Sequence, residues 1–236
     1  MIQELRIEVN SACNYSCIHC YTDKGREDRV SPERLSELLE ELAASGGTDL
    51  SLTGGEPLLA WQSVVRLASR AKVLGLRVRL NTNGHLLTPR MIARLAGLID
   101  EFQVSLNAAT EERFASFVSQ SGAFEKVVSG IRRAVTSGAA VTIRFSLMAE
   151  TVQDLMPTFL LAEELGVSDF KVRRTLDVSP DIPNTPLDLV EVGTVLRRLA
   201  MRADKSLVAL HIASGDLGID LGQMRGCDKL SCKCGS

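Results

Sequence analysis

L-R-V-R-L-N, residues 76–81, alternates apolar and polar side chains, with Val78 and Leu80 interleaved with Arg79 and Asn81. Strict alternation marks a strand with one buried and one wetter face. The same pattern recurs at Val104, Ser105, Leu106 and Asn107, and at Ile143 and Phe145 between Thr142, Arg144 and Ser146. It recurs again at Phe170 and Val172 beside Lys171 and Arg173. Parallel strands covered on both faces read as near-continuous apolar runs instead. These strands therefore pack one face on helices and leave the other polar and basic. Two architectures fit: a sheet with one solvated face, or a barrel with a wet, cationic lumen.

The segments between the strands favour the barrel. Strand-like runs at 5–9, 49–53, 76–81, 101–107, 140–147 and 169–174 alternate with helical ones, and 207–212 offers a last strand. Ser31-Pro32-Glu33 and Thr88-Pro89 are helix starts, with a hydroxyl N-cap and proline at the first helical position. Leu35, Leu38, Leu39 and Leu42 then follow at helical spacing. Helical sequence also runs from the fourth strand to about Val135. Strand–helix repetition implies parallel strands joined by crossovers. Four lumen cations, Arg79, Arg144, Lys171 and Arg173, would suit a carboxylate or phosphate. The proline-bearing stretch Leu176–Pro186 reads as a stiff surface loop.

The 236 residues are 45% apolar and 24% charged, with a net charge of −2, which does not suggest a nucleic-acid or membrane surface. The N-terminal M-I-Q-E-L-R-I-E-V-N reads as no signal peptide, and no window has the length of a membrane span. The expectation is a cytoplasmic chain with reduced thiols, so that clustered cysteines mean metal or redox chemistry. Directly after the first strand comes C-N-Y-S-C-I-H-C, with Cys13, Cys17 and Cys20. Three thiolates suit a metal centre with one open position, since a structural zinc site takes four ligands. Zinc completed by His19 is the alternative. The second strand ends in L-T-G-G-E-P-L, where Gly54 and Gly55 allow close backbone approach and Glu56 can pair with an ammonium group.

Together, CxxxCxxC and GGEP resemble the radical S-adenosylmethionine (radical SAM) superfamily, over roughly residues 4–175. The resemblance implies an α/β fold, a partial (β/α)6 TIM-type barrel over residues 1–203, with a C-terminal extension over 204–236. It implies a [4Fe–4S] cluster held by Cys13, Cys17 and Cys20, whose open iron chelates S-adenosyl-L-methionine. Reductive cleavage then gives a 5'-deoxyadenosyl radical that abstracts hydrogen from substrate. By position, Gly54, Gly55 and Glu56 match the motif at the methionine amino group. Asn83 sits where polar groups approach the cofactor, and Ser105 and Asn107 match contacts to ribose or carboxylate. Arg144 matches a carboxylate partner, and His19 stands where an aromatic residue often nears the adenine. Turn chemistry is the plainer reading of Asn83 and Asn107, and a lumen salt bridge that of Arg144.

The tail carries Cys227, Cys232 and Cys234 in a CxxxxCxC pattern. It is read either as a second Fe–S cluster, completed by substrate, Asp228 or His211, or as a catalytic thiol that donates hydrogen. A second cluster points to an oxidoreductase or a peptide or natural-product maturase, oxidising or crosslinking a small molecule or peptide with an anionic group. A thiol donor points to a radical epimerase. A non-catalytic Fe–S carrier or sensor is the reading of another class. An enzyme of this kind needs an electron donor such as flavodoxin or ferredoxin.

Overall fold

The computed structural model describes residues 2–20, 22, 30–174 and 187–212. The proline-bearing stretch 176–186 and the tail cysteines Cys227, Cys232 and Cys234 lie outside the described residues. Seven strands form one sheet in chain order: β1 (Glu4–Glu8), β2 (Asp49–Thr53), β3 (Arg77–Thr82), β4 (Glu101–Ser105), β5 (Ala140–Leu147), β6 (Asp169–Arg174) and β7 (Ala209–Ile212). Every neighbouring pair is parallel. The crossovers hold helices α1 (Pro32–Ala44), α2 (Trp61–Val73), α3 (Pro89–Leu95), α4 (Glu111–Val118), α5 (Ala123–Thr136), α6 (Leu155–Leu165) and α7 (Leu189–Ala203). The fold is the α/β partial barrel expected from the alternation, with one strand more than six. β7 lies past residue 203 and is hydrogen-bonded into the sheet.

Helix starts follow the capping residues. Ser31 Oγ accepts from the Arg34 amide and Thr88 Oγ1 from the Met91 amide, each with proline at the first turn. The stretch after β4, expected as helical to about Val135, is two helices. α4 stops on Ser119 in the left-handed region (φ 57°), and Gly122 (φ 68°) turns the chain into α5. Among the described residues no helix is long and apolar enough to cross a membrane.

The outward face of each strand is apolar and buried under the helices: Leu50 and Leu52, Val78 and Leu80, Phe102 and Val104, Ile143 and Phe145, Phe170 and Val172. Each such side chain contributes about 1.5–3 kcal/mol of burial energy. The parallel register then stacks the inward residues in polar rows. Ser51 faces Arg79, Arg79 faces Glu101, and Thr142 faces Asp169. Higher up, Ser105 faces Arg144, Arg144 faces Lys171 and Ser146 faces Arg173. The wet lumen is thus real, but its lower part is not cationic.

Arg79, expected to be available to a ligand, is committed there. Its guanidinium lies 3.0 Å from Glu4 Oε2, 2.6 Å from Asp49 Oδ1 and 3.5 Å from Glu101 Oε2. Glu101 is the hub of this floor. It accepts from Gln103 Nε2 and Thr142 Oγ1, both at 2.8 Å, and from Arg77 at 3.1 Å and Lys171 at 3.2 Å. Burial pushes its carboxyl up, but the Thr142 hydroxyl, the Lys171 ammonium and the Gln103 amide outweigh burial and hold it below the usual range. The carboxylate form is what lets one residue tie β3, β4, β5 and β6 together.

Candidate functional site

The polar lumen opens at the C-terminal ends of the strands, where the loops of such barrels carry function. A cavity of about 200 Å³ lies there. Cys13, Cys17, His19 and Cys20 line it from the loop after β1, and Gly54 and Gly55 from the loop after β2. Asn83, Ser105, Asn107 and Arg144 line it from β3, β4 and β5. Ten of the residues singled out in the sequence therefore meet in one pocket.

The loop after β1 is clamped on both sides by backbone. On one side the Gly55 amide donates to Asn10 O (2.9 Å), the Glu56 amide to Ala12 O (2.7 Å) and Asn10 Nδ2 to Glu56 O (3.0 Å). On the other side the Ser16 amide donates to Val118 O and the Ile18 amide to Phe117 O, both at 3.1 Å, at the end of α4. The two glycines are needed for this approach. Gly54 has φ 144°, and a Cβ on it would overlap Asn10 O; one on Gly55 would overlap the carbonyls of Ser11 and Ala12. Neither neighbour is a flexible side-chain end. Gly55→Ala is expected to lose about 3 kcal/mol of stability and to displace the cysteine loop. Chemical denaturation and iron loading of the variant check both effects.

The thiols are partly exposed to the cavity. Cys13 Sγ accepts from the Tyr15 amide (3.4 Å), with Asn83 Nδ2 at 4.0 Å. Tyr15 itself is buried, its hydroxyl 2.8 Å from His85 Nδ1 and its ring edge-on to Phe114. Burial, reinforced by Cys17 and Glu56, pushes the phenol far up, so it stays protonated. Among the described residues no three His, Cys, Asp or Glu side chains converge as a single-ion site requires.

His19 does not join the thiols as a fourth ligand. Its ring packs on Phe117 with centroids 4.9 Å apart, and Nε2 lies 3.3 Å from Ser146 Oγ. Burial, and then the Arg144 charge, lower its pKa to about 4, so the imidazole is neutral near pH 7. Nδ1 is buried with no hydrogen-bond partner among the described residues.

Glu56 is not at the pocket wall. It is fully buried, with its carboxylate turned into the protein. Oε1 accepts from the Leu58 amide (3.0 Å) and Thr82 Oγ1 (2.7 Å), and Oε2 from the Asn83 amide (2.7 Å). Burial pushes the Glu56 carboxyl up to about 7, against the lowering effect of those three donors. At this strand end it is the glycines that face the cavity.

Asn83 makes the turn expected of it and also reaches the thiol loop. Its Oδ1 accepts from the His85 amide (3.0 Å), an Asx turn, while Nδ2 donates to Asn14 Oδ1 (2.8 Å) at the thiol loop. Asn107 Oδ1 accepts from the Ser146 amide (2.6 Å) and pins the end of β4 to β5. Arg144 donates to Asn81 Oδ1 (2.6 Å), and Asn81 Nδ2 donates in turn to Ser51 Oγ (2.9 Å) and Leu52 O (3.2 Å). Sequence reasoning missed Asn14, Tyr15 and Thr82. The signal was their placement inside motifs already noted, between Cys13 and Cys17 and inside N-T-N-G.

Comparison with known proteins is specific at this point. The family described as Radical SAM superfamily matches residues 7–162. The AdoMet-dependent heme synthase of Methanosarcina barkeri is 31% identical over 169 residues, covering 70% of this chain and 48% of that protein. A probable GTP 3',8-cyclase of Saccharolobus islandicus is 31% identical over 173 residues, 71% of this chain and 55% of that protein. The chain thus spans about half the length of the curated relatives it matches. Among solved structures, Streptococcus suis SuiB bound to S-adenosylmethionine superposes with a TM-score of 0.77 at 16% identity, covering 89% of this chain and 50% of that one.

Proposed function

Because this chain belongs to the Radical SAM superfamily, we propose that it binds a [4Fe–4S] cluster and S-adenosyl-L-methionine and takes a hydrogen atom from a small-molecule or peptide substrate. The observation that carries this reading is the single pocket shared by Cys13, Cys17, Cys20, Gly54 and Gly55. The residues present fit both groups. Thiols are the donors that Fe–S clusters take. The glycine-walled turn lets backbone approach a ligand, and His19 Nδ1 is a buried polar atom without a partner among the described residues. Bound together, the two groups supply one-electron cleavage of the sulfonium, with methionine and, after hydrogen transfer from substrate, 5'-deoxyadenosine as products.

The chain's own residues hold and orient. Cys13, Cys17 and Cys20 hold the cluster, and the Tyr15 amide and Asn83 amide group stabilise the Cys13 thiolate by donating toward its sulfur. Gly54 and Gly55 leave room for the methionine end of the cofactor. Arg144, steadied by Asn81, faces its carboxylate, and neutral His19 with Phe117 offers a flat wall to its adenine. Asn107 and Ser105 fix the far rim.

Cys227, Cys232 and Cys234, outside the described residues, hold a second cluster in this reading. The test is anaerobic reconstitution followed by dithionite and S-adenosyl-L-methionine. 5'-Deoxyadenosine is expected; its absence would turn the reading toward a redox carrier. About eight irons per chain are expected, and about four in a Cys227/Cys232/Cys234→Ala variant. About four in both removes the second cluster and leaves a tail thiol as hydrogen donor, as an epimerase needs.

A further inference from the structure

Resting on that reading, we propose that Lys171 and Arg173 of β6 form a subsite for an oxyanion of the substrate, a carboxylate or a phosphate. The pocket is lined by three cations, Arg144, Lys171 and Arg173, and by no Asp or Glu among the described residues. Arg144 is held by Asn81 at 2.6 Å. Arg173 has no such commitment among the described residues, and that of Lys171 is shared. Arg173 is exposed at the cavity, with no partner among the described residues. Lys171 reaches Glu101 at 3.2 Å, but that carboxylate already accepts from Thr142, Gln103 and Arg77 and pairs with Arg79. Glu101 therefore stays compensated when Lys171 turns up toward a ligand. The Lys171 side chain is one-third exposed, so it can exchange this shared partner for a ligand.

Register gives the subsite its shape. Lys171 stands opposite Arg144 and Arg173 opposite Ser146, so both cations point inward on one strand. Their Cα atoms are two residues apart, about 7 Å along β6. Arg173 is the outer of the two, nearer the strand's C-terminal end. A flexible ammonium below a planar guanidinium suits one bidentate oxyanion, or two carboxylates on a short linker. The bland alternative is a solvated basic face, which would bind anions weakly and without dependence on either residue.

The test is calorimetric titration of the reconstituted chain, loaded with cluster and S-adenosyl-L-methionine. The probes are glutarate for a carboxylate source and inorganic phosphate for a phosphate source. At least one probe is expected to bind, more weakly at high salt. Its Kd is expected to rise about tenfold in Lys171→Gln and in Arg173→Gln, and to stay unchanged in Arg132→Gln on the exposed face of α5. Arg173 is exposed, and circular dichroism of Arg173→Gln checks that the variant is folded. Which probe binds names the source. If neither binds, or if both variants bind as the wild type does, the subsite is overturned. Formation of 5'-deoxyadenosine by the wild type is measured in parallel. If that product is absent, it is the enzymatic reading that fails; if it forms without anion binding, only the subsite does.

Discussion

Cys17→Ala is expected to give a folded chain that no longer holds its first cluster and no longer forms 5'-deoxyadenosine. The loop geometry allows this separation of folding from function. The Ser16 and Ile18 amides bond to the end of α4, and the Cys20 amide to Cys17 O, none of which uses the Cys17 side chain. Cys17 is only partly packed against the core, so losing its sulfur costs about 1 kcal/mol. The chemical loss is far larger. Removing an outer-shell partner of a metal ligand lowers metal affinity or activity about 10–100-fold. A ligand lost outright leaves one iron without its thiolate, so product should fall by more than about 100-fold. Iron and labile sulfide per chain, circular dichroism and product yield are measured together, best in the tail-cysteine variant, where only one cluster can form. A variant that keeps full iron and full yield would show that the thiols of this loop are not the ligands. An unfolded variant would show instead that the loop depends on its sulfur.

Much of this site was legible because its residues sit in local patterns. The CxxxCxxC and GGEP stretches each follow a strand, and alternation in β3, β4, β5 and β6 told the inward face from the outward one. What the sequence could not show depends on register and on partners far along the chain. Arg79 and Arg144 look alike as inward cations on alternating strands. Pairing of β3 with β4 sets Arg79 opposite Glu101 and within reach of Asp49, while Arg144 stands a layer higher beside Ser105 and Lys171. One is a structural ion pair and the other faces the cavity. That Glu56 is a buried anchor was hidden for a related reason: its partners Thr82 and Asn83 are 26 and 27 residues away. The break between α4 and α5 escaped because Ser119 gives no sign in the sequence of adopting left-handed backbone.

The anchor makes the second large prediction. Glu56→Ala is expected to destabilise the chain by at least about 3 kcal/mol, since a buried donor left without an acceptor costs about 1–3 kcal/mol and three are affected. The Leu58 amide, the Thr82 hydroxyl and the Asn83 amide would all lose their acceptor, in a place with no exposure. The Asn83 amide is the one that reaches the site. Its release frees the turn that carries the Asn83 side chain to Asn14 and Cys13. Glu56→Gln separates charge from shape. The folded carboxyl titrates near 7, above its ordinary value of 4.5. Below 4.5 both folded and unfolded chains are protonated there. As pH rises from about 4.5 to about 7 the unfolded chain ionises first, so the Glu56 contribution to stability falls through that window and levels off above it. Glutamine has no such slope. Urea denaturation of wild type and Glu56→Gln at pH 5, 6, 7 and 8 should show the wild type losing stability relative to the variant with rising pH. If the difference between them is flat, the three donors hold the carboxylate ionised in spite of its burial. If it runs the other way, they hold its pKa below that of the unfolded chain, and a fixed negative charge then sits directly behind Gly54 and Gly55.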